Sequence, residues 1–183
     1  MGRLLTVVLV VWVLIGGSAS VAVAAQGGAA TPEAGQTAGP PTAFGDGLDS
    51  PATYFAANGS EIAMLTVTDV ERGWQDYAEF YEPQPGVEYV AITFEIESVS
   101  RGNVPVQSYA FTLIDAFGFG VASTYVEPDP EANVTLLLED TAVTSQETGA
   151  FTLVFSIFQD TDLGYLLWQP AGGVFVMVNL EGE

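Results

Sequence analysis

Residues 87–99 read VEYVAITFEIESV, and large apolar side chains alternate there with small or polar ones. Val90, Ile92, Phe94 and Ile96 fall on one face, with Ala91, Thr93, Glu95 and Glu97 on the other, which is the period of two expected of a strand buried on one side. The run is about twice the usual strand length of five to six residues. Two further runs alternate similarly: 106–115, with Tyr109, Phe111 and Leu113 aligned, and 150–159, with Phe151, Leu153, Phe155 and Ile157 aligned. Either is long enough to cover the apolar face of the first, and the pairing predicts a β-sandwich core.

The remaining pattern is read around these three runs. A short edge strand is predicted at 54–56 and a longer one at 61–70 (EIAMLTVTDV), where either Ile62/Met64 or Leu65/Val67 points inward. SRGNVP (100–105) reads as a turn, and DAFGFG (115–120) as a hairpin turn into a strand at 121–126. EPDPE (127–131) breaks the sheet, VTLLLED (134–140) gives another strand and TSQETG (144–149) another turn. A turn at 160–164 leads into YLLWQP, whose Trp168 sits beside Leu166 as a core residue, and a strand at 172–180 closes the domain. Seven to eight strands separated by turns, with almost no helical periodicity, predict an all-β, immunoglobulin-like antiparallel β-sandwich.

One stretch does not fit this alternation. In ERGWQDYAEFYEPQPG (71–86), Trp74, Tyr77, Ala78 and Tyr81 recur at i, i+3, i+4 and i+7, the spacing of one or two helical turns that gather three aromatics on one side and leave Glu71, Gln75, Glu79 and Glu82 wet. Trp74, Tyr77 and Tyr81 are therefore candidate partner-binding residues, because loops at the end of a sandwich commonly carry recognition. The alternative is that they fold back and cap the open end of the core.

Ahead of the domain, residues 1–25 have one basic residue, Arg3, an apolar run LLTVVLVVWVLI and a small-residue tail containing Ala22-Val23-Ala24. This reads as a secretory signal peptide, cleaved near Ala25, with an uncleaved membrane anchor as the alternative. Residues 26–43 carry Ala, Gly, Pro, Thr and Gln with one Glu and no large apolar residue, the composition of a flexible linker. The folded domain is expected from 44 to 183. Localisation is thus predicted to be secreted, or on the extracellular side of the cell envelope.

Composition narrows the chemistry. The 183 residues include 23 Asp and Glu against 3 basic residues, all Arg, with no His and no Cys, and a formal net charge of −20 at pH 7. Without His or Lys there is no ordinary partner to activate a serine, no Schiff base and no P-loop lysine. Without His and Cys there is no ordinary zinc, copper, haem or iron–sulfur site, so no cofactor is expected. The acidity also argues against nucleic acid and anionic membrane surfaces as partners.

Carboxylates alone remain as candidate chemistry: Glu95/Glu97, Glu127/Asp129/Glu131, Glu139/Asp140 and Asp160/Asp162. Residues i and i+2 of a strand lie about 6.6 Å apart, inside the roughly 5–9.5 Å that separates glycosidase carboxylates. Any alternating strand offers that spacing, so Glu95 and Glu97 read first as a solvated face. The 127–131 and 160–162 loops offer oxygens for weak calcium binding, but neither follows the EF-hand pattern. Asn58-Gly-Ser60 and Asn133-Val-Thr135 match a glycosylation acceptor at chance level.

Residues 61–180 resemble a known family through four segments: a strand ending Val67-Thr68-Asp69, PQPGVEYVAITFEIE (83–97), FTLIDAFG (111–118) and GAFTLVFSI (149–157). These are similar to the telokin-like, immunoglobulin-like domain of unknown function found in exported bacterial proteins and lipoproteins, which is similar in fold to a secreted mycobacterial immunogenic antigen. The chain departs from it at Ser98, where members often carry Asn, and in lacking the N-terminal cysteine of the lipoprotein members. The resemblance implies fold and no catalytic residues. The expected function is an exported, non-enzymatic interaction or cell-envelope module with an unknown protein or envelope component as partner. A calcium-stabilised structural domain and a carboxylate-only glycan hydrolase are the alternatives.

Overall fold

The computed structural model describes residues 43–170 and 174–183. The expected signal peptide and nearly all of the expected linker lie outside the described residues; Ala43, placed at the linker's end by composition, already opens the first strand. Eleven strands follow in order: β1 Ala43–Gly45, β2 Ala52–Phe55, β3 Glu61–Arg72, β4 Val87–Ser98, β5 Val104–Val106, β6 Phe111–Asp115, β7 Gly120–Ala122, β8 Thr141–Val143, β9 Thr148–Phe158, β10 Leu163–Trp168 and β11 Val176–Asn179. One sheet has the order β1-β11-β10-β6-β7, the second β2-β3-β4-β9, and β5 with β8 forms a small third ladder. The β-sandwich is as expected. The strand count exceeds seven to eight because β1, β5 and β8 have three residues each, too few to display an alternation. All ladders are antiparallel except that of β1 with β11, which is parallel.

β4 is the centre of its sheet, paired with β3 on one side and with β9 along its whole length on the other. Val90, Ile92, Phe94 and Ile96 are all fully buried, and β3 offers Ala63, Leu65 and Val67 to the same core, which decides the register that the pattern left open. A bulge between Val67 and Asp69 then switches the parity, so that Val70 also packs inward. Across the sandwich Phe94 lies 4.7 Å from Phe111, which stacks on Trp168 at 5.9 Å, with Tyr54 edge-on to the indole. Trp168 is fully buried, as its position beside Leu166 predicts.

Three expected segments differ. The run at 106–115 is interrupted: Ala110 N donates to Gln107 O and a 3₁₀ turn over Ser108–Ala110 replaces the ladder, leaving Tyr109 exposed. VTLLLED is no strand, because Leu138 N donates to Leu136 O across a three-residue turn that folds the backbone at Leu137. The expected turn at 100–105 ends at residue 103 and runs into β5, whose Val104 and Val106 close one end of the core together with Val143 of β8. At that end Ser98 is buried, and its hydroxyl donates to Gly102 O.

Candidate functional site

The outer face of the β4–β9 sheet carries a third layer. Tyr89 and Ala91 of β4 and Val154 of β9 point away from the core yet are buried, together with Trp74 and Val126. The covering segments are held by backbone hydrogen bonds: Trp74 N to Tyr89 O, Ala78 N to Glu127 O and Asp129 N to Asp76 O. Tyr77 presents its ring to the edge of Tyr89 at 5.4 Å and lies 6.0 Å from Trp74, and Tyr81 lies 6.3 Å from Tyr125. The aromatics are thus brought together, but not by a helix. β3 runs on to Arg72, and only Glu79–Tyr81 forms a 3₁₀ turn, so strand pairing does what the i, i+3, i+4, i+7 spacing suggested a helix would do. Trp74 is 2% exposed, whereas Phe80, between Glu79 and Tyr81 in the 3₁₀ turn, is 100% exposed. Burial raises the phenol pKa of Tyr89 above its ordinary value, with Tyr77 adding to it, and burial followed by the Glu127 carboxylate does the same for Tyr81.

At the end of β4 opposite the β5–β8 ladder, the two sheets part. The edge of β7 and the edge of β9 touch at an isolated bridge between Ser123 and Phe155, and Thr124 N donates to Val154 O at 2.7 Å. Beyond it the edges separate and leave a half-open cleft of about 370 Å³ between β6–β7 and the end of β9. Leu113, Val121, Ile157 and Leu163 form its walls, Val87 its floor edge, and Asp115, Ser156 and Thr161 are its polar lining residues. Phe119 and Phe158 line it as well and are 70% and 75% exposed, with Phe117 at 80%.

The turn that sets those phenylalanines is built on Asp115. Its Oδ1 accepts from Phe117 N at 2.9 Å and from Phe119 N at 2.8 Å, while Gly118 N donates to Asp115 O. Gly118 has φ of 88°, a conformation glycine adopts without strain. An Asp whose carboxylate serves two N–H groups fixes the loop backbone as a unit, and on it Phe117 and Phe119 are both exposed. The next hollow along the surface is polar, lined by Arg72, Glu88, Gln159, Asp160 and Asp162. Arg72 is occupied there by its ion pair with Glu88. A shallower groove lined by Phe80, Tyr81, Tyr89, Val87 and Ser156 adjoins the cleft through the last two residues.

Of the sequence candidates, Tyr77 and Tyr81 reach this side of the molecule, and Trp74 lies beneath it in the buried layer. Glu95 and Glu97 stand exposed on the open part of the β4 face. Asp129 uses Oδ1 to accept from Glu131 N within its own turn. Among the described residues no three carboxylates converge as metal ligands would, and no helix is long and apolar enough to cross a membrane. The sequence pattern places Phe117 and Phe119 in a turn and Phe158 at the end of a strand, with no role as site residues. Their signal was present in the chain: a hairpin turn made of Asp, Ala and Gly has no conformational need for two phenylalanines.

No family model matches the chain, and no curated protein matches it. Among solved structures, the secreted protein MPT63 of Mycobacterium tuberculosis superposes with a TM-score of 0.56 at 13% identity, covering 75% of this chain and 97% of that one. The yjhA protein of Bacillus subtilis gives 0.53 at 14% identity, covering 74% and 99%. The Bacillus subtilis candidate lipoprotein ycdA gives 0.51 at 14% identity over 66% of this chain, and the match spans 37% of that longer chain. These likenesses are of fold.

Proposed function

We propose that the chain is an exported, non-enzymatic binding module that holds a cell-envelope component in the cleft between β7 and the end of β9. The observation that carries this reading is the cleft itself: a preformed apolar hollow rimmed by two exposed phenylalanines, Phe119 from a carboxylate-pinned turn and Phe158 from the end of one strand, with a third, Phe117, exposed on the same turn. Large exposed aromatics gathered at one place are uncommon without a partner, and small-ligand sites are typically apolar hollows with a few polar groups. The Phe80–Tyr81 groove extends the contact surface, with Tyr77 and Trp74 supporting it from below.

Export is supported by the signal-like first 25 residues and by the fold likeness to a secreted protein. A binding role rather than catalysis is supported by the lack of His, Lys and Cys in the chain and by carboxylate pairs that sit on open faces and turns. Membership of the telokin-like, immunoglobulin-like group is part of the same proposal and rests on the motif resemblance over 61–180. The test is retention of envelope components by the immobilised protein and by its Phe119→Ser/Phe158→Ser variant. The wild type should retain a component that the variant does not; identical retention by both would overturn the reading.

A further inference from the structure

The cleft combines three features that together specify a ligand class. Its interior is apolar, with walls of strand residues that are themselves nearly buried: Leu113, Ile157 and Leu163. Its volume of about 370 Å³ sits at the low end of the roughly 300–1,000 Å³ range of small-molecule pockets, a fit for one chain or ring system rather than for a folded partner. Its rim carries the exposed rings of Phe119 and Phe158 beside the carboxylate of Asp115, which two backbone N–H groups of its own turn hold in place.

The charge around it has one sign. The turn that supplies Thr161 also carries Asp160 and Asp162, and among the described residues the neighbouring cation, Arg72, is engaged by Glu88. The full chain carries −20. An anionic head group at this mouth would meet carboxylates without a compensating cation, whereas an organic cation would meet both opposite charge and aromatic rings, the combination that recognises alkylammonium groups.

We infer that the cleft is a binding site for a small cationic amphiphile, with the apolar tail between β7 and β9 and an ammonium-type head at Asp115 among the rim phenylalanines. This deepens the binding-module reading and rests on it. Nothing in it requires the head to be quaternary rather than primary; opposite charge and the ring faces act on both.

The test is calorimetric titration of the full protein with three ten-carbon probes below their micelle-forming concentrations: decyltrimethylammonium, decyl sulfate and decyl maltoside. Decyltrimethylammonium should bind one per chain and about tenfold more tightly than the maltoside, and the sulfate should show no binding. Phe119→Ser/Phe158→Ser should abolish the event while melting within a few degrees of wild type, since both rings are mostly exposed. Asp162→Asn should narrow the preference for the cation without abolishing tail binding, and Glu95→Gln/Glu97→Gln, on the open β4 face, should change nothing. Equal affinity for all three probes, or cation binding that survives the double phenylalanine variant, would overturn the inference. If no probe binds while the double variant still loses its envelope component, the ligand class falls and the binding-module reading stands; if that retention is also unaffected, the reading itself falls.

Discussion

Ser123 and Phe155 form the isolated antiparallel bridge at which the edge of one sheet meets the edge of the other. Towards β8 and the 134–138 segment the corner is sealed, since Leu137 N donates to Thr152 O and Thr152 N to Thr135 O. Towards Phe158 no such stitching continues among the described residues, and the core opens at Leu113, Val121, Ile157 and Leu163. One corner of the sandwich is therefore left unclosed, and exposed Phe119 and Phe158 line it.

The aromatic layer over β4 and β9 is expected to behave as core. Trp74→Ala removes a side chain that is almost wholly buried and should cost about 3–5 kcal/mol. Phe80→Ala, six residues on, should change stability by about 0.5 kcal/mol or less. Chemical denaturation of the two variants makes the comparison, and equal losses would mean that the layer is not packed as described.

The two faces of β4 should differ sharply beyond residue 93. Phe94→Asp places an unpaired charge among Phe111 and Phe151 and should cost about 4 kcal/mol or more, enough to prevent folding of many domains. Glu95→Lys, exposed on the opposite face, should cost about 0.5 kcal/mol or less. Thermal melts read both, and similar behaviour would contradict the register.

Tyr89 gives a pH dependence with a definite sign. Its phenol is raised above 10.0 by burial and then by Tyr77, so the folded chain keeps this proton to higher pH than the unfolded chain does. Its contribution to stability is complete below 10.0 and is lost as pH rises from there through the folded value. The stability difference between wild type and Tyr89→Phe should be flat up to pH 10.0 and then shift in favour of the variant. Urea midpoints from pH 8 upward measure it; a difference that stays flat throughout would show that the phenol is not buried.

Gly164 controls how closely β10 approaches β6 beside the cleft. A Cβ there would lie 2.8 Å from Asp115 O and 3.0 Å from Asp115 C, both backbone atoms that cannot step aside. Gly164→Ala should cost about 1–3 kcal/mol, as overpacking does, and should disturb Asp115 and Leu163, which line the cleft from the two strands. A neutral melt with unchanged amide spectra around Asp115 would contradict the contact.

How much of this was legible in the chain varies with the range of the interaction. The core strands were, because Val90 to Ile96 and Phe151 to Ile157 carry a pattern set by burial on one face, and pattern is what sequence records. Ala91 and Thr93 show the limit. They read as the small or polar side of a half-buried strand, yet a third layer buries Ala91, and half-buried Thr93 faces Thr152 at 3.0 Å between hydroxyls. That layer comes from residues 74–81 and 124–136, distant in sequence, so no local periodicity reports it. Leu136 to Leu138 was read as a strand because a three-residue turn leaves no mark on composition. The cleft was not legible at all, since it arises from where two sheet edges part, although the phenylalanines of DAFGFG were the one local sign of it.

The central claim, that binding occurs where β7 and β9 diverge, is tested most directly by methyl NMR of the protein titrated with the envelope component it retains. Shifts confined to the methyl groups of Val87, Leu113, Val121, Ile157 and Leu163 are expected, with Val104, Val106 and Val143 at the opposite end unmoved. Shifts centred on the β5–β8 end, or spread evenly over the acidic surface, would contradict it.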